Sequence, residues 1–317
     1  MSALDEIFGP GGRIATAHPN YEFRPGQIEM AAAVSRVFEE SGVAIIEAGT
    51  GTGKTLAYLI PALAAGRRVI VSTATKSLQE QLFFKDVPFL ETLFPGRVRA
   101  AYMKGRSNYV CLHRLGKAAD APVLTGLEDV DHFDTVRQWA ERTETGDRAE
   151  LVDLPEFLPF WHAIDARSDT CLGQRCPQFE ECFITRMRQR AEEADIVIVN
   201  HHLFFADLSL RQDDYGQVIP DYTTVVFDES HELEQIAAAH FGSAISSFRF
   251  DDLVSDLQRL QIVDADAVKD ITQTAARLIR RSDRFWLALG ATVGRGRAGD
   301  DAEHRLELSS TLFVQFG

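Results

Sequence analysis

A glycine-rich loop near the amino terminus limits the possible folds more than any other segment. It reads Ala-Gly-Thr-Gly-Thr-Gly-Lys-Thr and runs from Ala48 to Thr55. The apolar run at residues 43–48 (VAIIEA) precedes it and predicts a strand, and residues 54–65 after it predict a helix. A loop of this composition between a strand and a helix is typical of an α/β domain built on a parallel sheet.

The loop has the Walker A pattern, although its first residue is alanine instead of glycine. Its glycines allow backbone N–H groups to surround phosphate oxygens, and the following helix adds its positive end. Lys54 would reach the β- and γ-phosphates of ATP, and Thr55 would hold Mg²⁺. The candidate phosphate-binding residues are Ala48, Gly49, Thr50, Gly51, Thr52, Gly53, Lys54 and Thr55. The alternative is a turn without a ligand, which the flanking elements disfavour.

A second acidic motif follows an apolar run that ends at Phe227. Asp228 and Glu229 come directly after this run, so a Walker B pair is predicted at the carboxyl edge of the sheet. Asp228 would support Mg²⁺ through water, and Glu229 would orient the attacking water. Taken alone, this pair could equally be the solvated start of a helix. Together with the phosphate loop it predicts an ATP-hydrolysing site.

The rest of the chain shows one sheet that stops and restarts. Further strands are predicted at residues 68–73, 195–200 and 223–229, and helices at residues 25–40 and 75–93. Short apolar strands separated by helices favour a parallel sheet covered on both faces. The segment between residues 103 and 190 is irregular and proline-containing, which predicts an insertion into one domain. Beyond residue 242 the chain is helical and rich in charge, with Leu253, Leu257 and Leu260 on one face.

Composition excludes several classes of protein. The 317 residues are 45% apolar and 25% charged, as in ordinary soluble domains, so a disordered chain is excluded. The formal net charge of −14 argues against a protein that coats nucleic acid non-specifically, although it permits a locally basic groove. No apolar run reaches the roughly 20 residues that a membrane helix needs. Because the first ten residues also lack a signal-peptide pattern, a cytoplasmic protein without membrane contact is predicted.

All four cysteines lie in the predicted insertion, at Cys111, Cys171, Cys176 and Cys182. In a reducing compartment such a group indicates metal binding more than disulfides. Four thiolates can hold either Zn²⁺ or a [4Fe–4S] cluster. Structural zinc sites more often use C-x₂-C pairs, and none is present, so the spacing favours iron–sulfur. Zinc and unligated thiols remain as alternatives.

Several segments together resemble one helicase family. Asp228-Glu-Ser-His231 resembles the DEAH box of superfamily 2 helicases, with serine in place of alanine. Residues 23–27 (FRPGQ) resemble a Q-like motif, and residues 72–82 (STATKSLQEQL) resemble motif Ia. Residues 104–111 (KGRSNYVC) and 197–204 (VIVNHHLF) resemble segments of the DinG/XPD iron–sulfur helicases. Within that family the chain is most similar to the YoaA branch.

The resemblance implies a RecA-like domain with an iron–sulfur insertion and a mostly helical Arch insertion. Arg24 and Gln27 would seat the nucleotide base, and His231 would couple hydrolysis to strand movement. Thr73 and Thr75 would touch the DNA backbone. The family translocates 5′ to 3′ on single-stranded DNA and unwinds duplex ahead of it, which implies single-stranded and forked DNA as partners, with replication or repair proteins also possible. The resemblance strongly favours a [4Fe–4S] cluster, held by the four cysteines, over zinc.

The resemblance also predicts how the chain is divided. Residues 1–102 and 191–241 form the two parts of the RecA-like domain, residues 103–190 the iron–sulfur insertion, and residues 242–317 an incomplete Arch. Family members need a second RecA-like domain that supplies arginines to the ATP cleft. Residues 294–297 (GRGR) resemble such a motif only faintly and are interpreted as a solvated loop. The chain is therefore predicted to be the amino-terminal part of a longer helicase, with feeble ATPase activity alone.

Basic residues with interspersed aromatics predict where DNA lies, since cations neutralise phosphates and aromatic rings stack on bases. The basic residues are Arg97, Arg99, Lys104, Arg106, Arg114, Lys117, Arg186, Arg188 and Arg190, and the aromatics are Tyr102, Tyr109 and Phe183. The alternative is a mixed solvated surface with the aromatics in the core. His201 and His202 are predicted to pack near the cleft instead of binding metal.

Two other functions remain open from the residues. The chain could be a non-catalytic module that binds ATP and DNA. It could also be a zinc-containing P-loop ATPase that acts on protein.

Overall fold

Four short strands form a parallel sheet, as the alternation of apolar runs and helices predicts. The computed structural model describes residues 3–18, 20–49, 51–120, 126–212, 216–242 and 265–293, and the single residues 250, 253, 254 and 257. The strands are β1 (Val69–Thr73), β2 (Ala100–Tyr102), β3 (Ile196–Asn200) and β4 (Thr224–Phe227), in the spatial order β2-β3-β1-β4. This confirms the α/β class and the parallel sheet.

The register places the ends of the strands side by side. Val71 of β1 lies opposite Ile198 of β3 and Val226 of β4. All five residues of β1 and all five of β3 are buried, because helices cover both faces of the sheet. The segments that follow β1, β3 and β4 therefore leave the sheet at one common edge, where ligands of such sheets bind.

Helices surround the sheet at nearly the predicted positions. They are α1 (Ala3–Phe8), α2 (Arg13–Ala17), α3 (Pro25–Glu40), α4 (Lys54–Ala64), α5 (Lys76–Gln81), a π-helix (Leu82–Asp86), α6 (Val87–Leu93), α7 (Leu112–Asp120), α8 (Leu127–Ala140), α9 (Trp161–Ile164), α10 (Phe183–Glu193), α11 (His201–Gln212), α12 (Leu233–Phe241) and α13 (Ala265–Val293). The predicted helix at residues 75–93 is thus three segments, joined through one widened π turn.

The strand predicted at residues 43–48 is wrong. These residues adopt neither helix nor strand, and the side chains of Val43 and Ile45 are 91% and 92% exposed. Apolar β-branched residues favour a strand only where a neighbouring strand offers hydrogen bonds and a face to pack on. Within the described part of the chain β4 pairs with β1 alone, and residues 43–48 pair with no strand.

The cysteine-bearing segment is more helical than predicted and has a core of its own. Helices α7 to α10 lie within it, and a buried cluster that includes Val136, Phe160 and Ile164 packs them together. The segment enters after β2 and returns to β3, which is paired between β2 and β1. Its apolar positions are spaced irregularly around prolines, which concealed the helices from pattern analysis.

The chain divides into two units, residues 1–241 and 242–317. The second unit contains the 29-residue helix α13, in agreement with the helical character predicted there. Leu253 and Leu257 also lie in helical backbone, whereas Leu260 and residues 294–297 lie outside the described residues. Among the helices that the structure describes, none is both long enough and apolar enough to cross a membrane.

Candidate active site

The phosphate loop leads directly into α4, which begins at Lys54. Gly51 and Gly53 have φ angles of 79° and 80°, in the left-handed region that glycine adopts without strain. The hydroxyl of Thr52 donates a hydrogen bond to the Gly49 carbonyl, which closes the turn. Thr50 lies outside the described residues. The loop therefore has the curled backbone that exposes N–H groups to a phosphate.

Arg24 and Gln27 hold the phosphate loop by hydrogen bonds to its backbone. Arg24 donates to the Gly51 carbonyl, and the Gln27 amide nitrogen donates to the Gly53 carbonyl over 2.9 Å. Gln27 is only 4% exposed, and its amide oxygen accepts a hydrogen bond from Tyr21 at 3.3 Å. Both side chains thus contact loop backbone, and their role in seating a base stays a prediction.

Replacing Gly53 by alanine tests this packing. An added Cβ would lie 2.1 Å from the Gln27 amide nitrogen, on a backbone whose positive φ disfavours any side chain. A left-handed residue costs about 1–2 kcal/mol even without a clash, so Gly53→Ala is expected to weaken ATP affinity by at least roughly tenfold. Isothermal titration with ATP and Mg²⁺ measures this. Gly42→Ala, where an added Cβ meets nothing within 4 Å, is the control and should bind normally. Equal ATP affinities of Gly53→Ala and the unmodified chain would contradict the assignment of residues 48–55 as a phosphate-binding loop.

The acidic pair reaches the loop across the edge of the sheet. The Asp228 N–H donates to the Ser72 carbonyl over 2.8 Å, which anchors the turn after β4 to β1. Lys54 Nζ lies 3.2 Å from Glu229 Oε1. Glu229 itself has a φ of 58°, which is uncommon for a residue with a side chain and occurs most often at functional sites. His231 is mostly exposed, and its Nδ1 lies 3.5 Å from Glu229 Oε2.

Tyr58 is part of the site, although the sequence analysis did not single it out. Its hydroxyl lies 3.1 Å from Asp228 Oδ2, and the side chain is almost fully buried. Burial, followed by the Asp228 charge, raises the pKa of Tyr58 well above its usual value, so the hydroxyl stays protonated and donates. Its spacing in the sequence could have identified it, since Tyr58 lies four residues after Lys54, on the same face of α4.

His201 lies beneath the acidic turn, as predicted for a packed residue near the cleft. It is fully buried, and its Nδ1 is 2.6 Å from the Ser72 hydroxyl. Burial lowers the pKa of His201, against the opposing influence of Asp228 and the backbone around it, so the ring is neutral at pH 7. His202 is exposed, with its ring 5.8 Å from that of His240. His201 and His202 therefore lie in different surroundings, and their rings do not share a ligand.

All four cysteines line a single cavity of about 370 Å³. Each is a free thiol; Cys171 is exposed and the other three are half-buried. Burial raises the pKa of the Cys111 thiol. At Cys171 burial acts in the same direction, but the Gly173 N–H and the Arg106 and Arg188 guanidinium groups outweigh it and lower the pKa. The cavity thus joins residues far apart in the sequence and has cationic side chains on its wall.

Most of the residues predicted to bind DNA have structural contacts instead. Lys104 is 2% exposed and paired with carboxylates, whereas Arg106 and Arg114 donate to backbone carbonyls of residues 162–166. Tyr109 and Phe183 are buried, so for them the core alternative is correct. A cation that must satisfy buried acceptors is not free to meet phosphate. The exposed members of the set are Arg97, Arg99, Lys117, Arg188 and Arg190, of which Arg99 forms a salt bridge with Asp195.

The motif Ia threonines also make contacts within the protein. Thr73 is buried, and its hydroxyl donates to the Thr75 carbonyl over 3.1 Å. The Thr75 hydroxyl accepts from the Leu78 N–H and caps α5. Thr73 is therefore not at the surface where DNA would pass, whereas Thr75 is exposed beside Lys76.

A parallel sheet with a phosphate loop and an Asp-Glu pair at its carboxyl edge defines a P-loop nucleotide-binding domain. The family of DEAD/DEAH box helicases matches residues 24–144. The ATP-dependent DNA helicase YoaA of Escherichia coli is 37% identical over 293 residues, which cover 92% of this chain and 46% of YoaA. Residues 24–144 therefore match a DEAD/DEAH box helicase domain, and most of the chain is similar to helicases named YoaA and DinG.

Two proteins named DinG extend the comparison. The ATP-dependent helicase DinG of Mycobacterium tuberculosis is 37% identical over 276 residues, which cover 76% of this chain and 40% of DinG. The 3′-5′ exonuclease DinG of Bacillus subtilis is 30% identical over 309 residues, which cover 89% of this chain and 32% of that protein. The chain thus spans less than half the length of these relatives.

Proposed function

We propose that this protein is an ATP-dependent DNA helicase of the YoaA/DinG type, which moves 5′ to 3′ on single-stranded DNA and unwinds forked duplex ahead of it. The observation that carries the proposal is the 3.2 Å contact between Lys54 and Glu229. These residues are 175 positions apart, yet the fold brings the phosphate-loop lysine to the acid that polarises water in such enzymes. The E. coli and M. tuberculosis relatives are named as ATP-dependent helicases, in agreement with this activity.

The cleft provides the phosphate-binding, metal-binding and water-orienting residues for phosphoryl transfer to water. Lys54 exchanges its contact with Glu229 for the β- and γ-phosphates, which frees the Glu229 carboxylate to orient the attacking water. Thr55 and Asp228 are the residues that hold Mg²⁺, which neutralises charge on the phosphates. His231, in contact with Glu229, links this step to strand movement. Arg24 and Gln27 keep the loop in the curled form that accepts phosphate.

The size of the cysteine cavity supports the proposal of a [4Fe–4S] cluster over zinc. Its volume of about 370 Å³ far exceeds the roughly 30 Å³ that a single water occupies in the liquid, so there is room for a multi-atom group. Four thiolates around one Zn²⁺ at about 2.3 Å would have to lie within about 4 Å of one another. Among the described residues, no three Cys, His, Asp or Glu side chains converge in a way that could hold one ion. Cys111, Cys171, Cys176 and Cys182 are therefore proposed as ligands of the cluster.

DNA is proposed to pass near the cysteine segment and the ends of the strands. Arg188 and Arg190 are exposed on α10, the helix that starts directly after Cys182. Thr75 and Lys76 are exposed where α5 begins. Cations on both segments can neutralise the phosphates of a single strand, and the net negative charge elsewhere repels other nucleic acid.

The division of the chain follows from this proposal. Residues 1–102 and 191–241 form the first motor domain, residues 103–190 the iron–sulfur insertion, and residues 242–317 part of an Arch insertion. A second motor domain outside this chain supplies arginines to the ATP cleft, so this chain alone hydrolyses ATP weakly. We place the protein in the cytoplasm, acting in DNA replication or repair.

Anaerobic purification tests the cluster. The expected protein is brown, with about four iron atoms per chain, because a [4Fe–4S] group takes one thiolate from each of the four cysteines. Cys176→Ser is expected to reduce the iron content by more than half and to bleach the visible absorbance. A colourless protein that contains one zinc atom would contradict the cluster and favour a zinc-containing ATPase.

DNA stimulation tests the motor. In the longer protein that we propose, single-stranded DNA should raise ATP hydrolysis at least roughly tenfold, since DNA completes the active arrangement of such motors. Hydrolysis that is indifferent to single-stranded and forked DNA would reject the helicase assignment. The Arg188→Gln/Arg190→Gln double variant should need a higher DNA concentration for half-stimulation, with Arg137→Gln, a substitution on the exposed side of α8, as its control.

A further inference from the structure

Tyr58 connects the two motifs of the ATP site, the phosphate loop and the Asp228–Glu229 pair. It lies on α4, one turn after Lys54, with its hydroxyl 3.1 Å from Asp228 Oδ2. The ring is 2% exposed and belongs to the core cluster under the sheet, so it has no freedom to leave this position. The hydroxyl also lies within reach of the Thr55 side chain. One buried donor therefore faces both residues that are proposed to hold Mg²⁺.

The surroundings explain why the Asp228 carboxylate needs such a donor. Asp86, the last residue of the π-helix, lies near Tyr58 and Asp228. Its Oδ2 is buried without a hydrogen-bond partner in the described part of the chain. Burial, together with the charge of Asp228, raises the pKa of Asp86 to about 6, although Lys85 opposes this. Two acidic groups thus approach the tyrosine. A nearby acid disfavours the charged form of a carboxylate, whereas a hydrogen bond donated to that form favours it.

We propose that Tyr58 is a positioning residue, whose hydroxyl occupies Asp228 Oδ2 and leaves Oδ1 directed to the water shell of Mg²⁺. This inference rests on the proposed function, since it concerns the metal that accompanies ATP. Tyr58 does not touch the nucleotide in this role. It acts through Asp228, and its loss should therefore alter the dependence on Mg²⁺ while leaving contacts between the loop and phosphate intact.

Nucleotide binding with and without Mg²⁺ separates these two effects. A fluorescent ATP analogue is titrated into the chain in EDTA, and in a separate sample without EDTA, Mg²⁺ is titrated into the complex. Tyr58→Phe removes one oxygen and keeps the ring. We expect its affinity in EDTA to equal that of the unmodified chain, and its half-saturating Mg²⁺ concentration to rise roughly 10-fold to 100-fold, since a hydrogen bond to a charged group is lost. Tyr222→Phe, on the segment before β4, is the matched control and should change neither value.

The outcomes distinguish this inference from the function on which it rests. If Tyr58→Phe binds the analogue normally in EDTA and shows an unchanged Mg²⁺ dependence, the positioning role is wrong and the ATP site stands. If Tyr58→Phe loses affinity in EDTA by the same factor as in Mg²⁺, the residue only supports the fold, and the inference is again overturned. If the unmodified chain binds no analogue under either condition, both the proposed function and this inference fail.

Discussion

Lys54→Ala is expected to weaken binding of ATP with Mg²⁺ by roughly 10-fold to 100-fold, because a charge-assisted contact to the phosphates is lost. Hydrolysis should fall by at least roughly 100-fold, the usual effect of removing one group that stabilises charge in the transition state. Among the described residues, the salt bridge of Lys54 is with the partly exposed Glu229, so the substitution should cost about 1 kcal/mol of stability or less. The variant therefore separates function from folding.

Calorimetry and a phosphate-release assay measure the two effects, and the visible absorbance reports whether the cysteine site is intact. Lys76→Ala is the control: Lys76 is exposed at the start of α5, and among the described residues no hydrogen bond or salt bridge joins its side chain to the phosphate loop. Its ATP affinity should equal that of the unmodified chain. Undiminished ATP binding and hydrolysis by Lys54→Ala would mean that residues 48–55 form a turn without a ligand, and the proposed function would be rejected.

Lys104→Met is expected to reduce the free energy of unfolding by about 3–5 kcal/mol. The Lys104 ammonium is buried between Asp147, at 2.5 Å, and Glu80, at 2.6 Å. Asp147 is itself 2% exposed, so removal of the cation leaves a buried carboxylate without its counter-charge. The remaining donors, Tyr102 at 3.2 Å and the Ala149 N–H at 3.0 Å, compensate only in part.

Urea unfolding followed by circular dichroism measures this loss. Lys117→Met, at an exposed position of α7, should change stability by less than about 0.5 kcal/mol. The double variant Lys104→Met/Asp147→Asn should recover part of the loss, because the uncompensated charge is removed. A loss below about 1 kcal/mol in Lys104→Met would mean that the ion cluster does not stabilise the fold.

The ion cluster of Lys104, Glu80 and Asp147 also connects two parts of the fold. Glu80 belongs to α5, which follows β1, whereas Asp147 lies in the cysteine-bearing segment. Lys104 itself follows β2 and is 2% exposed. One ammonium therefore ties the inserted segment to the helix beside the motor sheet.

Local patterns were sufficient for the elements with strong periodicity or a fixed motif. The helix at residues 25–40 and the strands around Val71, Ile198 and Val226 lie where the sequence predicts them. Their apolar spacing directly reflects burial on one or both faces. The helices α7 to α10 were not recognised, because their sequence is interrupted by prolines and polar stretches. The structural contacts of Lys104, Arg106 and Arg114 were missed for a related reason: a sequence shows a charge but not the carboxylate or carbonyl that meets it.

The sequence by itself determined the phosphate loop, the acidic pair, the parallel sheet and the helicase family, because each depends on residue types at fixed short spacings. Only the tertiary structure decided that Tyr58 donates to Asp228, that Lys104 is buried between two acids, and that residues 43–48 lie outside the sheet. These outcomes depend on which strands become neighbours. Contacts between residues far apart in the sequence, such as Tyr58 and Asp228, form through such neighbours, and no local spacing encodes them.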